Sequence, residues 1–316
     1  MMSLHDTTHG IHTIDTGFVR PQFDAAYLIV EQGRGAFIDC GTNYAVPRML
    51  SALEDAGLTP ADVDWLILTH VHLDHAGGAG ELMARLPNAK LVVHPRGARH
   101  MIDPTRLWAG ATAVYGEAVM EESYGRLRPI PAERVIEALD DHVVDLAGRA
   151  LRCLDTPGHA KHHNSIYDAC ANVCFTGDVF GLSYREFDNA GRTFILPTTS
   201  PVQFDQAALH ASIDRLVALK PAAMYLTHYG RVDDVARLAA DLHPQIDAMV
   251  ALALAADEQP DRHEVLMASL TDLYAGRALA HGWTQGREAL REVIGMDIEL
   301  NAQGLEVWLD GLKHAA

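Results

Sequence analysis

The run Thr69-His70-Val71-His72-Leu73-Asp74-His75-Ala76-Gly77-Gly78 carries four side chains that can hold a metal ion: His70, His72, Asp74 and His75. His70 and His72 stand two apart at the end of an apolar strand, so the pleat aims both imidazoles to one side. Asp74 and His75 fall in the following turn, where Gly77 and Gly78 let the backbone bend into a helix. Nitrogen and oxygen donors this dense suit a pair of divalent ions rather than a structural thiolate zinc site. Three later motifs repeat the placement: Thr156-Pro157-Gly158-His159, Phe175-Thr176-Gly177-Asp178 and Leu226-Thr227-His228-Tyr229-Gly230. In each a donor stands just past a strand end, where loops on a rigid scaffold gather functional groups.

Those donors need strands to hold them. The residue pattern predicts strands over 11–15, 25–31 and 35–40, the last two joined by the turn Gln32-Gly33-Arg34-Gly35. A helix over 47–56, a strand over 63–68, a helix from 78 and a strand over 91–94 follow. The stretch 107–127 reads as helix with a break near Gly110 or Tyr115. Strands over 135–138, 143–145, 151–154, 163–167 and 173–175 come next, then a helix over 204–219 and a strand over 223–226. From Asp233 onward the pattern is three or four helices, broken near Pro260 and Gly282, with one last strand over 305–309. The chain therefore reads as a mixed strand-and-helix domain, 1–230, and a helical extension, 231–316.

Composition narrows the function classes. Of 316 residues, 48% are hydrophobic and 21% charged, which excludes a disordered or fibrous chain. The longest apolar run, 248–256, is too short for a membrane span. The N-terminal lead has neither a basic segment nor an apolar one, so a cytoplasmic protein is expected. Twenty-five basic residues against 42 acidic give a net charge of −17, which argues against nucleic acid as a partner. Residues 231–316 alone carry 7 basic and 15 acidic side chains, a net of −8. Cys40, Cys153, Cys170 and Cys174 read as reduced thiols rather than a disulfide scaffold.

Together, the motifs from His70 to His228 resemble the metallo-β-lactamase-fold hydrolase superfamily, and the strands over 11–40 resemble its opening strands. The likeness covers roughly the first 230 residues. It implies an α/β (α+β) fold, an αββα sandwich with its site at one edge, here followed by the C-terminal helical extension. Carried over residue by residue, His70, His72 and His159 would hold one ion. Asp74, His75 and His228 would hold the second, and Asp178 would bridge the two. The bridging aspartate separates the chain from true class B β-lactamases, and the His-x-His-x-Asp-His spelling separates it from flavodiiron proteins. The glyoxalase II-like and lactonase-like branches fit best.

The resemblance implies a binuclear metal-dependent hydrolase of an ester-like carbonyl, a thioester or a lactone, using a hydroxide shared between two divalent ions. Zinc is the expected metal, with iron or manganese as alternatives. Asp74 would be the catalytic residue, orienting the hydroxide and passing a proton. No Gly-x-Ser-x-Gly elbow competes. The helical extension resembles an arrangement in a quinolone-signal response thioesterase of the superfamily, which tilts the expectation towards acyl thioesters. Two alternatives stand: a mononuclear-iron persulfide dioxygenase, and a metal-stabilised signalling protein acting through its helical tail.

A further set of residues reads as substrate contacts. The segment 180–204 shows little periodicity, and long structureless loops in compact domains are commonly functional. Phe180, Tyr184, Thr198 and Thr199 within it, together with Tyr229, are the candidate substrate-binding residues. His162 and His163 are expected to be solvated loop residues, and His94 a weaker candidate for the pocket wall. The expected partner is a small-molecule substrate, with no nucleic acid and no membrane. The extension must bury its apolar faces against the first domain or a second copy in a homodimer, its acidic surplus facing solvent.

Overall fold

The structure, a computed structural model, describes residues 5–6, 9–199 and 202–315. Pro201 of the 180–204 segment and the first four residues of the N-terminal lead lie outside these. The first sheet has seven strands in chain order: β1 (His5–Asp6), β2 (Ile11–Asp15), β3 (Ala25–Glu31), β4 (Arg34–Ile38), β5 (Val63–Ile67), β6 (Lys90–Val93) and β7 (Val135–Glu137). Neighbours β1 to β4 pair antiparallel, and β4 to β7 pair parallel. Parallel pairs need crossovers. They are supplied by α1 (Val46–Asp55), by α2 (Leu73–Ala76) with α3 (Ala79–Arg85), and by α4 (Pro95–Ile102), α5 (Thr105–Tyr115) and α6 (Glu117–Ser123).

The second sheet runs in the order β13-β12-β11-β10-β9-β8. Its strands are β8 (His142–Leu146), β9 (Arg149–Asp155), β10 (Asn164–Asp168), β11 (Val173–Gly177), β12 (Ala223–Leu226) and β13 (Gly230–Val232). Strands β8 to β11 are antiparallel, and β11 pairs parallel with β12 across a connection containing α7 (Gln206–Ala218). Three helices complete the chain: α8 (Val235–Ala256), α9 (Arg262–His281) and α10 (Gly286–Ala315). No helix among the described residues is long and apolar enough to cross a membrane.

By contacts the chain divides into two compact units, and the division is interleaved rather than a single cut after residue 230. One unit comprises Met1–Asp155, His162–Gly177 and Ala223–Arg231; the other comprises Thr156–Lys161, Asp178–Ala222 and Val232–Ala316.

The first unit holds the sheets. Ala25 to Ile29 of β3 are all buried, as a strand covered on both faces requires. On one side Leu28 and Phe37 pack with Met49, Leu53, Leu82 and Met83 of α1 and α3. On the other, the Tyr27 ring lies 5.2 Å from those of Phe175 and Tyr225, on β11 and β12. Its buried hydroxyl donates to the Leu226 carbonyl. The Ala25 N–H donates to Thr227 O at 2.8 Å, stitching the two sheets together at the strand ends where the donor residues begin.

The second unit is the helical extension plus the segment between Asp178 and α7. Tyr184 Oη donates to Asp297 (3.1 Å), the Thr199 N–H to Asn301 Oδ1 (2.7 Å), and Gln245 Nε2 to Ile195 O (3.1 Å). Phe187 packs on Trp283 with ring centroids 5.0 Å apart. Of the fifteen acidic residues after position 230, only Asp297 is buried, so the surplus negative charge is on the surface. At the open end of the bundle, Arg262 and His263 of α9 meet Glu306 and Asp310 of α10 at 2.9–3.2 Å.

One expectation is corrected here. Residues 305–309 form no strand; they lie inside α10, where Leu305 and Leu309 are buried four apart on one helix face. The break expected near Gly110 or Tyr115 falls beside Tyr115, at Gly116, whose φ of 83° suits glycine. The sequence reading also missed α4, which begins with Pro95 at its first turn and is capped by the His94 side chain accepting from Arg96 N at 3.0 Å.

Truncation after Arg231 removes the helices to which Tyr184, Ile195 and Thr199 are tied. The truncated chain should be insoluble or bind a hydrophobic dye strongly, and a soluble, cooperatively melting product would contradict this packing. The His263 pKa is raised chiefly by its bond to Glu306, with Glu299 adding to it. That stabilisation is present below the ordinary histidine pKa and lost as pH rises through the raised one. Stability should therefore fall slightly more between pH 6 and 8 in the native chain than in His263→Gln, as read by denaturant midpoints. The effect should be small, since the group is partly solvated.

Candidate metal centre

The strand ends set the donors. β5 runs out at Ile67, and the chain bends at Thr69 on its way to His72, after which α2 begins. His70 Nε2 and His72 Nδ1 come to 2.8 Å, with ring centroids 4.4 Å apart. One turn on, Asp74, His75 and His228 form a second group with donor atoms within 4.8 Å of one another. Asp74 Oδ2 is 3.7 Å from His75 Nε2 and 3.4 Å from His228 Nε2. In the other unit, His159 Nε2 and Asp178 Oδ2 are 3.4 Å apart.

What orients these rings is as informative as the rings themselves. His75 Nδ1 donates to Asp39 Oδ2 at 3.0 Å and His228 Nδ1 donates to Phe23 O at 3.0 Å. The Thr69 hydroxyl donates to Asp39 Oδ2 (2.7 Å), so its oxygen accepts from His70 Nδ1 at 3.2 Å. His159 Nδ1 faces Thr198 O at 3.5 Å. In all four rings the Nδ1 proton has an acceptor, and Nε2 faces another candidate ligand: His72 for His70, Asp74 for His75 and His228, and Asp178 for His159. Metal-binding imidazoles are held this way, the far nitrogen engaged by a carboxylate or a backbone carbonyl. The donor set thus fits divalent ions, with nitrogen and oxygen ligands and no thiolate.

Asp39 was not singled out from sequence, yet it supports much of this arrangement. It is buried at the end of β4 and also accepts from Thr69 N at 2.8 Å and from Thr227 Oγ1 at 3.3 Å. The signal was present: an acidic residue just past an apolar strand, as with Asp178. Asp24 was missed as well. It accepts from Thr16 Oγ1 at 2.8 Å, and burial pushes its pKa up to about 7 against the opposing pull of His228 and His75. His162 and His163 are not solvated loop residues. Both are buried, and their rings stack on His70 with centroids 6.2 and 4.9 Å away. Gly177 allows this closeness, because a Cβ there would stand 2.6 Å from His163 Nε2 and 2.8 Å from Thr69 Oγ1.

The candidate substrate residues have a different surrounding from the one expected of them. Phe180, Tyr184, Thr199 and Tyr229 are all buried, and the polar atoms of Tyr184 and Thr199 are engaged by α10. Thr198 meets His159 through its backbone carbonyl. His94, besides capping α4, lies 3.4 Å from Asp155.

The model of the metallo-beta-lactamase superfamily matches residues 19–228. The chain belongs to that superfamily. A metallo-beta-lactamase fold-containing protein of Sulfurisphaera tokodaii is 29% identical over 228 residues, 71% of this chain and 79% of that one. A hydroxyacylglutathione hydrolase of Acidiphilium cryptum is 30% identical over 234 residues, 73% of this chain and 74% of that one. Among solved structures, an archaeal metallo-beta-lactamase superfamily protein from Sulfolobus tokodaii matches with a TM-score of 0.65 at 25% identity, covering 94% of this chain and 98% of that one. A metallo-beta-lactamase family protein from Thermus thermophilus matches with a TM-score of 0.64 at 25% identity, over 90% and 93%. The α/β metallo-beta-lactamase fold with added C-terminal helices is thus the fold of this chain; that fold implies divalent metal binding, and the His and Asp clusters are the candidate ligands.

Asp39→Ala leaves Thr69 N, His75 Nδ1 and two hydroxyls without their shared acceptor. It should cost about 3 kcal/mol or more of stability and strip metal from the purified protein. Asp39→Asn, which keeps the shape but less of the accepting capacity, should lose less of both. Unchanged metal content in Asp39→Ala would remove this residue from the centre's support.

Proposed function

We propose that this metallo-beta-lactamase superfamily member is a two-metal hydrolase of ester-like carbonyl compounds, with an acyl thioester as the first substrate class and a lactone as the second. The observation that carries the reading is the set of imidazoles whose Nδ1 atoms are held by acceptors, so that Nε2 faces another candidate ligand: His72 for His70, Asp74 for His75 and His228, and Asp178 for His159. Thioesters come first because the relative from Acidiphilium cryptum is named for hydrolysing an acylated glutathione.

On this reading His70, His72 and His159 hold one ion, Asp74, His75 and His228 the other, and Asp178 serves both. Zinc suits the donors, as do iron and manganese. Divalent ions so bound lower the pKa of coordinated water towards neutrality and polarise a carbonyl oxygen. Asp74, whose side chain is a quarter exposed, accepts the proton given up in the attack and returns it to the leaving group. His162 and His163, packed on His70 and His72, keep those two rings from turning. A thioester expels a thiolate, which leaves readily, whereas a lactone expels an alkoxide, which takes up the proton that Asp74 returns.

Elemental analysis beside a hydrolysis panel of acyl thioesters, lactones and phosphodiesters tests this directly. The protein should hold about two ions per chain and turn over a thioester or a lactone, and a chelator should abolish that turnover. His70→Ala should lose mainly one ion and Asp178→Ala should weaken both. Asp74→Asn should lower kcat by about 10²-fold or more while keeping most of its metal. A single ion at saturation, or no ester-type turnover by the fully loaded protein, would sink the proposal.

A further inference from the structure

Outside the superfamily's donor positions, a second group of histidines lies between α7 and α8. His210 Nδ1 and His243 Nδ1 stand 2.6 Å apart, with the rings stacked at 4.9 Å and 17°. Each outer nitrogen has its own carboxylate: His210 Nε2 is 2.9 Å from Asp247 Oδ1, and His243 Nε2 is 3.1 Å from Asp214 Oδ1. Gln206 Nε2 also donates to Asp247 Oδ1, at 2.8 Å.

A carboxylate accepts hydrogen bonds, so both Nε2 atoms must carry the proton. In a neutral imidazole the other nitrogen is then a bare acceptor. Two acceptor lone pairs aimed at each other across 2.6 Å repel unless something positive lies between them. We propose that this pair is a second metal site, taking a transition-metal dication of the zinc, nickel or copper kind through the two Nδ1 atoms. Imidazole suits those ions, and carboxylates on the far nitrogens are the support that ligating histidines ordinarily have.

The geometry needs little change. Two nitrogens each about 2.0–2.1 Å from a tetrahedral ion stand roughly 3.3 Å apart, so the rings open by less than an ångström. Both side chains are about a quarter exposed, which allows that movement and admits water to the remaining coordination positions. The site joins two helices from one structural unit. Its role follows from what α7 touches. The Asp205 N–H donates to Gly158 O at 2.8 Å, Ser212 Oγ donates to Pro157 O at 2.6 Å, and Gly158 lies so close to Leu209 that a Cβ would meet its backbone at 2.3 Å. An ion fastening α7 to α8 therefore stiffens the support of the loop that carries His159. The inference does not depend on which reaction the main centre performs.

The test uses the full chain with its native metal in place, exchanged into metal-free buffer at pH 8 and titrated with Ni²⁺, Cu²⁺ or Zn²⁺ by calorimetry and equilibrium dialysis. The native protein should take up one ion more than His210→Gln or His243→Gln, and its melting temperature should rise with that ion while theirs does not. Bound Cu²⁺ should show coupling to two imidazole nitrogens in its electron paramagnetic resonance spectrum. If either variant loses its fold by circular dichroism, Asp214→Asn replaces it and should weaken the extra ion about 10-fold. Equal uptake by native protein and variants, or no extra ion at pH 8 because the pair merely shares a proton, overturns the proposal.

Discussion

A single buried carboxylate carries the geometry of the candidate metal centre in the sheet-bearing unit. Asp39, at the end of β4, accepts from the Thr69 backbone and hydroxyl, from His75 and from Thr227. Thr69 precedes His70, and Thr227 precedes His228. The exits of β4, β5 and β12 and the start of α2 are thus referred to one pair of oxygens rather than positioned separately. In a buried setting such bonds are strong, and an unmet partner is costly. The strands give stiffness, while this one side chain converts it into a fixed relation among three imidazoles.

Two different devices orient the rings. His70 and His75 depend on side chains, the Thr69 hydroxyl and Asp39. His228 and His159 depend on backbone carbonyls, those of Phe23 and Thr198. A carbonyl is present whatever the residue, so those contacts constrain the path of the chain rather than its spelling. Thr198 therefore matters to His159 through its position, and the threonine side chain is not what the contact uses.

This distinction explains how far the sequence could be read. The seven candidate donors stood out because histidines and aspartates clustered past apolar strand ends are rare, and a packed core has little use for them there. Most strands were legible from their alternation and turns. Asp39 has the same strand-end placement as Asp178, but its supporting part shows only in its four contacts. Burial of His162 and His163 is likewise invisible in residue type, because it depends on Gly177 being flush against His163. Tyr184 and Thr199 were read as rim residues because their partners, Asp297 and Asn301, lie over a hundred positions away in the chain. The misread strand at 305–309 came from apolar spacing that suits a helix face equally well.

The interleaving of the two units has a consequence for biosynthesis. His159 and Asp178 belong to the unit whose other members are α7 to α10, and the residues of α10 that engage the segment after Asp178 come over a hundred positions later in the chain. Chains fold as they emerge, N-terminal portions first. His70, His72, Asp74 and His75 can take shape with the early strands, but Tyr184 and Thr199 meet Asp297 and Asn301 only once α10 has been made. The surroundings of His159 and Asp178 are therefore completed later in synthesis than those of the four candidate donors in the 69–78 run.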